Sequence, residues 1–277
     1  MYNSMAGRFE GLSDLEWRLF EDIFPKEPEK RDRGMPHAPF EHILNTLLYV
    51  LITGCRWCDV PKGEIWASKS SAHRWLKRWE LDGTLKILQA RILGIAQEQG
   101  LINWNYGAVD GSFSPGKGGG EDIAYGHKGK GILIHTLTEG NGMPLANCTT
   151  PANGSERDQV IPLLDKIKVK TNQPGRPRKR VKVLAADKGY DSIEKSAALR
   201  QRGIRPPFPK RVWKTKKNRG RPIKISAPRF QQERCFAWFQ RKYRRLVVRW
   251  ERISACFNAF LSLATIHMCI NIILLVG

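Results

Sequence analysis

Over the first hundred residues, apolar positions recur at three- and four-residue steps. Trp17, Leu19, Phe20 and Ile23 follow Ser13, whose hydroxyl can cap a helix, and Glu16 stands three residues on to complete a capping box. Pro25 and Pro28 end that segment. Phe40, Ile43, Leu44, Leu47, Leu48 and Leu51 repeat the spacing from about residue 39 and stop near Gly54. Residues 68–79 (SKSSAHRWLKRW) predict a third helix, short and basic, closed by Asp82 and Gly83. Residues 85–98 predict a fourth.

Past Trp104 the period changes. Residues 106–113, 131–137, 144–149 and 181–186 are short apolar or β-branched runs bounded by Gly, Pro or Asn, the pattern of strands. Helices are expected over 155–167 and 192–201, and a further strand over 204–208. The order predicts a mixed α/β sheet with helices packed on it, in a unit spanning 101–277, preceded by an all-helical unit over 1–100. Residues 209–228 are too rich in Lys, Arg, Gly and Pro to be core, and are expected to order only on DNA. A long helix follows over 229–251. The last stretch, 253–276, is apolar, but Ser254, Asn258, Ser262, Thr265, His267 and Asn271 interrupt it, so it reads as a buried helix rather than a membrane span.

Charge sharpens this picture. The net charge is +21, and residues 1–100 contribute nothing to it, with 14 basic and 14 acidic side chains. The span 165–252 holds 29 basic residues against 6 acidic ones. So local an excess points to a polyanion, bound through its phosphates in a salt-dependent way. On the 68–79 helix, Arg74, Lys77 and Arg78 suit a helix-turn-helix recognition helix, although an ordinary solvated face would carry the same residues. The six cysteines show no disulfide framework, so reduced thiols in a cytoplasmic protein are expected, and the start of the chain lacks a secretory pattern. Cys55-x-x-Cys58 has no second pair at zinc spacing and is expected to supply small core residues. Residues 116–120 (GKGGG) lack the Walker continuation and predict a flexible loop.

Three carboxylates carry candidate chemistry. Cleaving a phosphodiester without a covalent intermediate needs an activated nucleophile and neutralisation of the leaving oxygen. Two Mg²⁺ (or Mn²⁺) ions held by carboxylates supply both. Asp110 lies inside an apolar strand, where a carboxylate is costly unless it binds something. Asp187 ends a second strand, where α/β proteins place ligand groups. Either alone could be a turn or cap residue. On the 229–251 helix, Phe236, Phe239, Tyr243, Leu246 or Val247, and Trp250 define the sheet-facing side. Glu233 falls on that side, three residues before Phe236, whereas Glu251 is expected to pair with Arg244 or its neighbours. Arg234, Arg241, Arg245, Arg249 and Arg252 form a separate basic stripe. Lys188, Arg229 and Arg244 are further candidate DNA contacts.

These residues resemble the DDE-type transposases of bacterial insertion sequences, specifically the IS-five group. The likeness rests on residues 48–61 (LYVLITGCRWCDVP), on Val109-Asp110-Gly111-Ser112, on the 126–145 hairpin, on residues 186–191 (ADKGYD), and on Glu233-Arg234 with Phe236, Trp238 and Tyr243-Arg244-Arg245-Leu246. The resemblance implies an RNase H-like, retroviral-integrase-like catalytic fold with a metal-binding triad of Asp110, Asp187 and Glu233. It also implies binding of terminal inverted repeats, cleavage and strand transfer, and assembly of several copies on DNA. The chain departs from the family pattern at Ser226, Gln231, Gln232 and Gln240. Only 46 positions separate Asp187 from Glu233, too few for the extra β domain of some relatives. The competing readings are a non-catalytic DNA-binding regulator, an inactive transposase remnant, or a nuclease that cuts without strand transfer.

Overall fold

Four helices precede the first strand: α1 (Asp14–Ile23), α2 (Phe40–Thr53), α3 (Lys69–Leu81) and α4 (Thr84–Glu98). The computed structural model describes residues 9–27, 37–210 and 230–276. The capping box of α1 forms as its spacing predicts. Ser13 Oγ accepts the Glu16 amide at 3.3 Å, and Glu16 returns a carboxylate oxygen to the Ser13 amide at 3.0 Å. Gly54, at φ +70°, ends α2 in the left-handed conformation that glycine adopts without strain. Ser68 caps α3, which turns Ala72, Trp75, Leu76 and Trp79 inward. There Trp75 and Trp79 meet Phe40 edge-on at 5.0 and 5.3 Å.

The sheet is built on β1 (Tyr106–Pro115). β3 (Gly129–Glu139) lies antiparallel beside it, and β5 (Val183–Ala185) lies parallel on its other edge. β2 (Ala124–Gly126) and β4 (Pro144–Pro151) both pair with the far edge of β3, β2 with residues 129–131 and β4 with 132–138. β2 was not anticipated, since three residues are too short to show a period. α5 (Val160–Lys166) and α6 (Ile193–Gln201) flank β5 in sequence. The strand expected over 204–208 is reduced to a single bridge between Val183 and Arg205. This is a mixed sheet with flanking helices behind a helical N-terminal region.

α8 (Ser254–Val276) is long and apolar enough to cross a membrane, yet most of it is buried here. It packs chiefly against α3 and α4, and also on α1, α2 and β4. Its polar residues are used inside the fold: Thr265 Oγ1 accepts from Asn147 at 2.7 Å, and His267 lies 3.2 Å from Glu16 of α1. One core runs from Phe20 to Ile273.

α7 (Phe230–Lys242) is shorter than the helix expected over 229–251. Tyr243 leaves helical geometry at φ −109°, ψ 75°, because its ring is taken into the core and its hydroxyl lies 3.1 Å from His267 Nδ1. A single 3-10 turn, Arg244–Leu246, follows, so the basic stripe is not one helical face. Trp250, expected on the buried side, is 53% exposed.

The glycine run at 116–120 is not a loose loop. The Lys117 amide donates to Arg249 O at 3.1 Å and the Glu121 amide to Arg252 O at 2.9 Å, which docks the run along 249–252. A Cβ on Gly120, whose φ is +105°, would lie 2.2 Å from the Arg252 carbonyl oxygen. Gly120→Ala is expected to cost about 2 kcal/mol or more, from backbone strain plus this collision. Urea unfolding of the two proteins measures it.

Candidate active site

Asp110 and Asp187 each lie two residues beyond the paired Ala108 and Ala185 of adjacent parallel strands. Side chains alternate along a strand, so both aspartates return to the face of those alanines, at one end of the sheet. Each is half-buried and already turned into local structure. Asp110 Oδ1 accepts the Gly111 amide at 2.8 Å, and Asp187 Oδ1 accepts the Gly189 amide at 2.6 Å. The second bond caps the 3-10 turn Lys188–Tyr190.

α7 covers this face. Gln232 accepts from Thr138 Oγ1 at 2.8 Å and donates to Thr136 O at 3.0 Å, while Gln240 donates to Ser112 Oγ at 3.4 Å. Gln232 is the inward residue of that first turn, and Glu233 is exposed beside it. The expectation that Glu233 faces the sheet is thus corrected by one position, since the apolar spacing cannot see an amide that pairs with buried threonines. Among the described residues, no three His, Cys, Asp or Glu side chains sit close enough together to hold a metal ion. The donors at this end of the sheet are hard carboxylate oxygens, which fit Mg²⁺ or Mn²⁺ rather than a thiophilic ion.

A carboxylate the sequence did not mark, Glu156, feels the charge of both aspartates. Its carboxyl is pushed up from its ordinary value by burial and by the charge of Asp110, with Lys128 opposing and Asp187 adding. It accepts from Tyr190 Oη at 3.4 Å. Burial and the neighbouring carboxylates push the Tyr190 phenol far up, so it stays protonated and donates. A glycine inside the strand, Gly111, was the available signal, because it marks a close approach to the backbone.

Arg74, Lys77 and Arg78 are exposed on the outer face of α3 and share one open groove. Lys188, Arg234, Arg241 and Arg244 are exposed as well. Arg245 is not a surface residue: it is buried, with Nε 2.6 Å from Glu251 Oε1 and Nη1 donating to Cys55 O at 3.0 Å. Arg249 is likewise inside, donating to Glu251 O. Pairing of Glu251 with a neighbouring arginine was expected, but that pairing withdraws Arg245 from any contact with DNA. Arg229 and residues 211–228 of the basic loop lie outside the described residues. Of the Cys55/Cys58 pair, Cys55 is half-buried and packs against the core as expected, whereas Cys58 is exposed.

His135 on β3 stands opposite Gly111 of β1 and is fully buried, with Nε2 2.8 Å from Thr150 Oγ1. Burial pushes its imidazole down to about 4. Between the ordinary value near 6.5 and that point, the unfolded chain takes up a proton that the folded chain refuses, so stability falls with acidification. A drop of about 3 kcal/mol by pH 4 is expected from this residue. Burial shifts His267 in the same direction. His135→Gln is expected to flatten the pH 6.5–4 limb by that amount in unfolding curves, leaving the His267 share.

Residues 106–269 match the family described as "Transposase DDE domain", and residues 12–88 match "Putative transposase of IS4/5 family (DUF4096)". The chain is 38% identical over 141 residues to a "Putative transposase for insertion sequence element IS402" of Burkholderia cepacia, covering 51% of this chain and 64% of that protein. It is 27% identical over 114 residues to an uncharacterized 16.2 kDa protein of the same insertion element, covering 40% of this chain and 78% of that one. Among solved structures, the piggyBac transposase in a synaptic complex with hairpin DNA aligns with 98% of this chain and 67% of its own, at a TM-score of 0.42 and 11% identity.

Proposed function

The chain belongs to the DDE transposase family, and from that premise we propose that it cuts and joins DNA at the ends of an insertion element. The observation that carries this reading is the placement of Asp110 and Asp187 at the same end of adjacent strands β1 and β5, on the face that α7 covers. The three long antiparallel strands β1, β3 and β4, followed by β5 parallel to β1, suit an RNase H-like core. Asp110, Asp187 and Glu233 would hold two Mg²⁺ or Mn²⁺ ions. When bound, these cations neutralise charge on the attacking and leaving oxygens of the phosphate.

This chain's own residues would hold and orient the DNA. Arg74, Lys77 and Arg78 on α3 would grip the terminal inverted repeat, and Lys188, Arg229, Arg234, Arg241 and Arg244 its phosphates near the cut. Water attacks the scissile phosphorus and the bridging 3′ oxygen leaves, taking a proton to become a hydroxyl. That hydroxyl then attacks a target phosphorus, and the new phosphodiester forms as the target's own bridging oxygen departs. Two ends must be joined, so more than one copy would assemble on DNA.

The test is incubation of the purified full chain with duplexes carrying the element's ends, with and without Mg²⁺. Nicking at the end boundary, followed by joined products, is the expected result. Tight binding of those ends with no nick under Mg²⁺ or Mn²⁺ would instead identify a DNA-binding regulator or an inactive remnant.

A further inference from the structure

We infer that Glu156 is a positioning residue of the metal centre, holding the Asp110 and Asp187 ends together from the opposite face of the sheet. The inference rests on the assignment of Asp110 and Asp187 as metal ligands. Its basis is a set of contacts that the family triad does not include. A Cβ built on Gly111 would lie 2.9 Å from the Glu156 carboxyl carbon and 3.0 and 3.3 Å from its two oxygens. The carboxylate therefore stands where a side chain at position 111 would be, on the face opposite Asp110 and one residue beyond it. The same carboxylate takes the Tyr190 hydroxyl at 3.4 Å, three residues after Asp187. The next residue, Arg157, donates from Nε to Gly189 O at 3.3 Å in the same turn.

One short segment thus reaches both aspartate-bearing strands. Glycines allow its approach, one on β1 beside the carboxylate and one close against the end of β4. Gly111 cannot carry a side chain without evicting the carboxylate, and a Cβ on Gly154 would lie 2.8 Å from Thr150 Oγ1. The face it occupies also holds a buried polar group. His135, paired across from Gly111, is fully buried, and its Nδ1 has no hydrogen-bond partner among the described residues. A carboxylate set one layer behind two ligands orients them and adds negative charge that favours a cation.

Loss of such outer partners costs about 10–100-fold in metal affinity. Mn²⁺ binding to the full chain, read by electron paramagnetic resonance, and melting without metal are the two readouts. Glu156→Gln is expected to weaken Mn²⁺ binding at least about tenfold and to melt no lower than the parent, since a crowded negative charge is removed. Gly111→Ala keeps Glu156 but displaces it, and should weaken Mn²⁺ binding similarly. The double variant should add little, because the two act on one contact. Unchanged Mn²⁺ affinity in Glu156→Gln, with or without a lowered melting point, would overturn the inference. Should Glu156→Gln not fold, unchanged affinity in Gly111→Ala overturns it instead. Asp110→Asn and Asp187→Asn serve as the reference. If they bind Mn²⁺ like the parent, the site assignment itself fails; if they lose it while Glu156→Gln does not, only the role of Glu156 fails.

Discussion

Arg245→Ala is expected to destabilise the protein by about 3–5 kcal/mol, because it leaves a buried carboxylate without its partner. The side chains of Arg245 and Glu251 are 8% and 5% exposed, and their contact is 2.6 Å long. Glu251 Oε2 has no hydrogen-bond partner among the described residues, so the arginine is its main compensation. The pair also spans the molecule: Arg245 donates to Cys55 O just past α2, fastening the turn after α7 to the helical region. Gly54 meets the same turn, where a Cβ would lie 3.1 Å from Arg244 Cβ. Guanidinium denaturation reads the loss. Replacing both partners by apolar residues of similar volume, Arg245→Met with Glu251→Leu, should recover most of it, since the isolated charge is what costs. An exposed arginine behaves differently. If Arg241 contacts a phosphate, Arg241→Ala leaves stability within about 0.5 kcal/mol. It then lowers the slope of log affinity against log salt by about 1.

The contrast between Arg245 and Arg241 shows where the sequence was legible. Helix starts and stops were readable because they are local: Ser13 with Glu16, Ser68 and Gly54 each act within four residues. The positions of Asp110 and Asp187 at one end of adjacent strands were readable because a carboxylate within or ending an apolar strand is costly wherever the strand packs. What could not be read depends on partners distant in the chain. Arg245 looks like any other arginine in a basic run until Cys55 and Glu251 close over it. The end of α7 was hidden because Tyr243 fits a helical spacing equally well, and only the arrival of His267, 24 residues on, draws it inward. The glycine run at 116–120 looked loose for the same reason, its partners being the backbone of 249–252. Glu156 was invisible because nothing near it in sequence is apolar or catalytic in pattern. Its neighbours are Gly111 and Tyr190, 45 and 34 positions away.

Asp187→Asn is expected to lower Mg²⁺-dependent cleavage of end DNA by about a thousandfold or more, roughly 4 kcal/mol of lost transition-state stabilisation. Asp110→Asn should match it. An amide keeps the shape and the bond to the Gly189 or Gly111 amide, but it cannot neutralise a cation. Binding of the end duplex, followed by gel shift, should hold or tighten, since one negative charge leaves a surface that meets phosphates. Glu233→Gln is the discriminating member. Glu233 is exposed in a turn whose inward residue, Gln232, is tied to Thr136 and Thr138. A thousandfold loss in Glu233→Gln, with DNA binding intact, would join it to the two aspartates in the cleavage step. Parental cleavage by Glu233→Gln, beside the loss in Asp110→Asn and Asp187→Asn, would instead remove Glu233 from the triad.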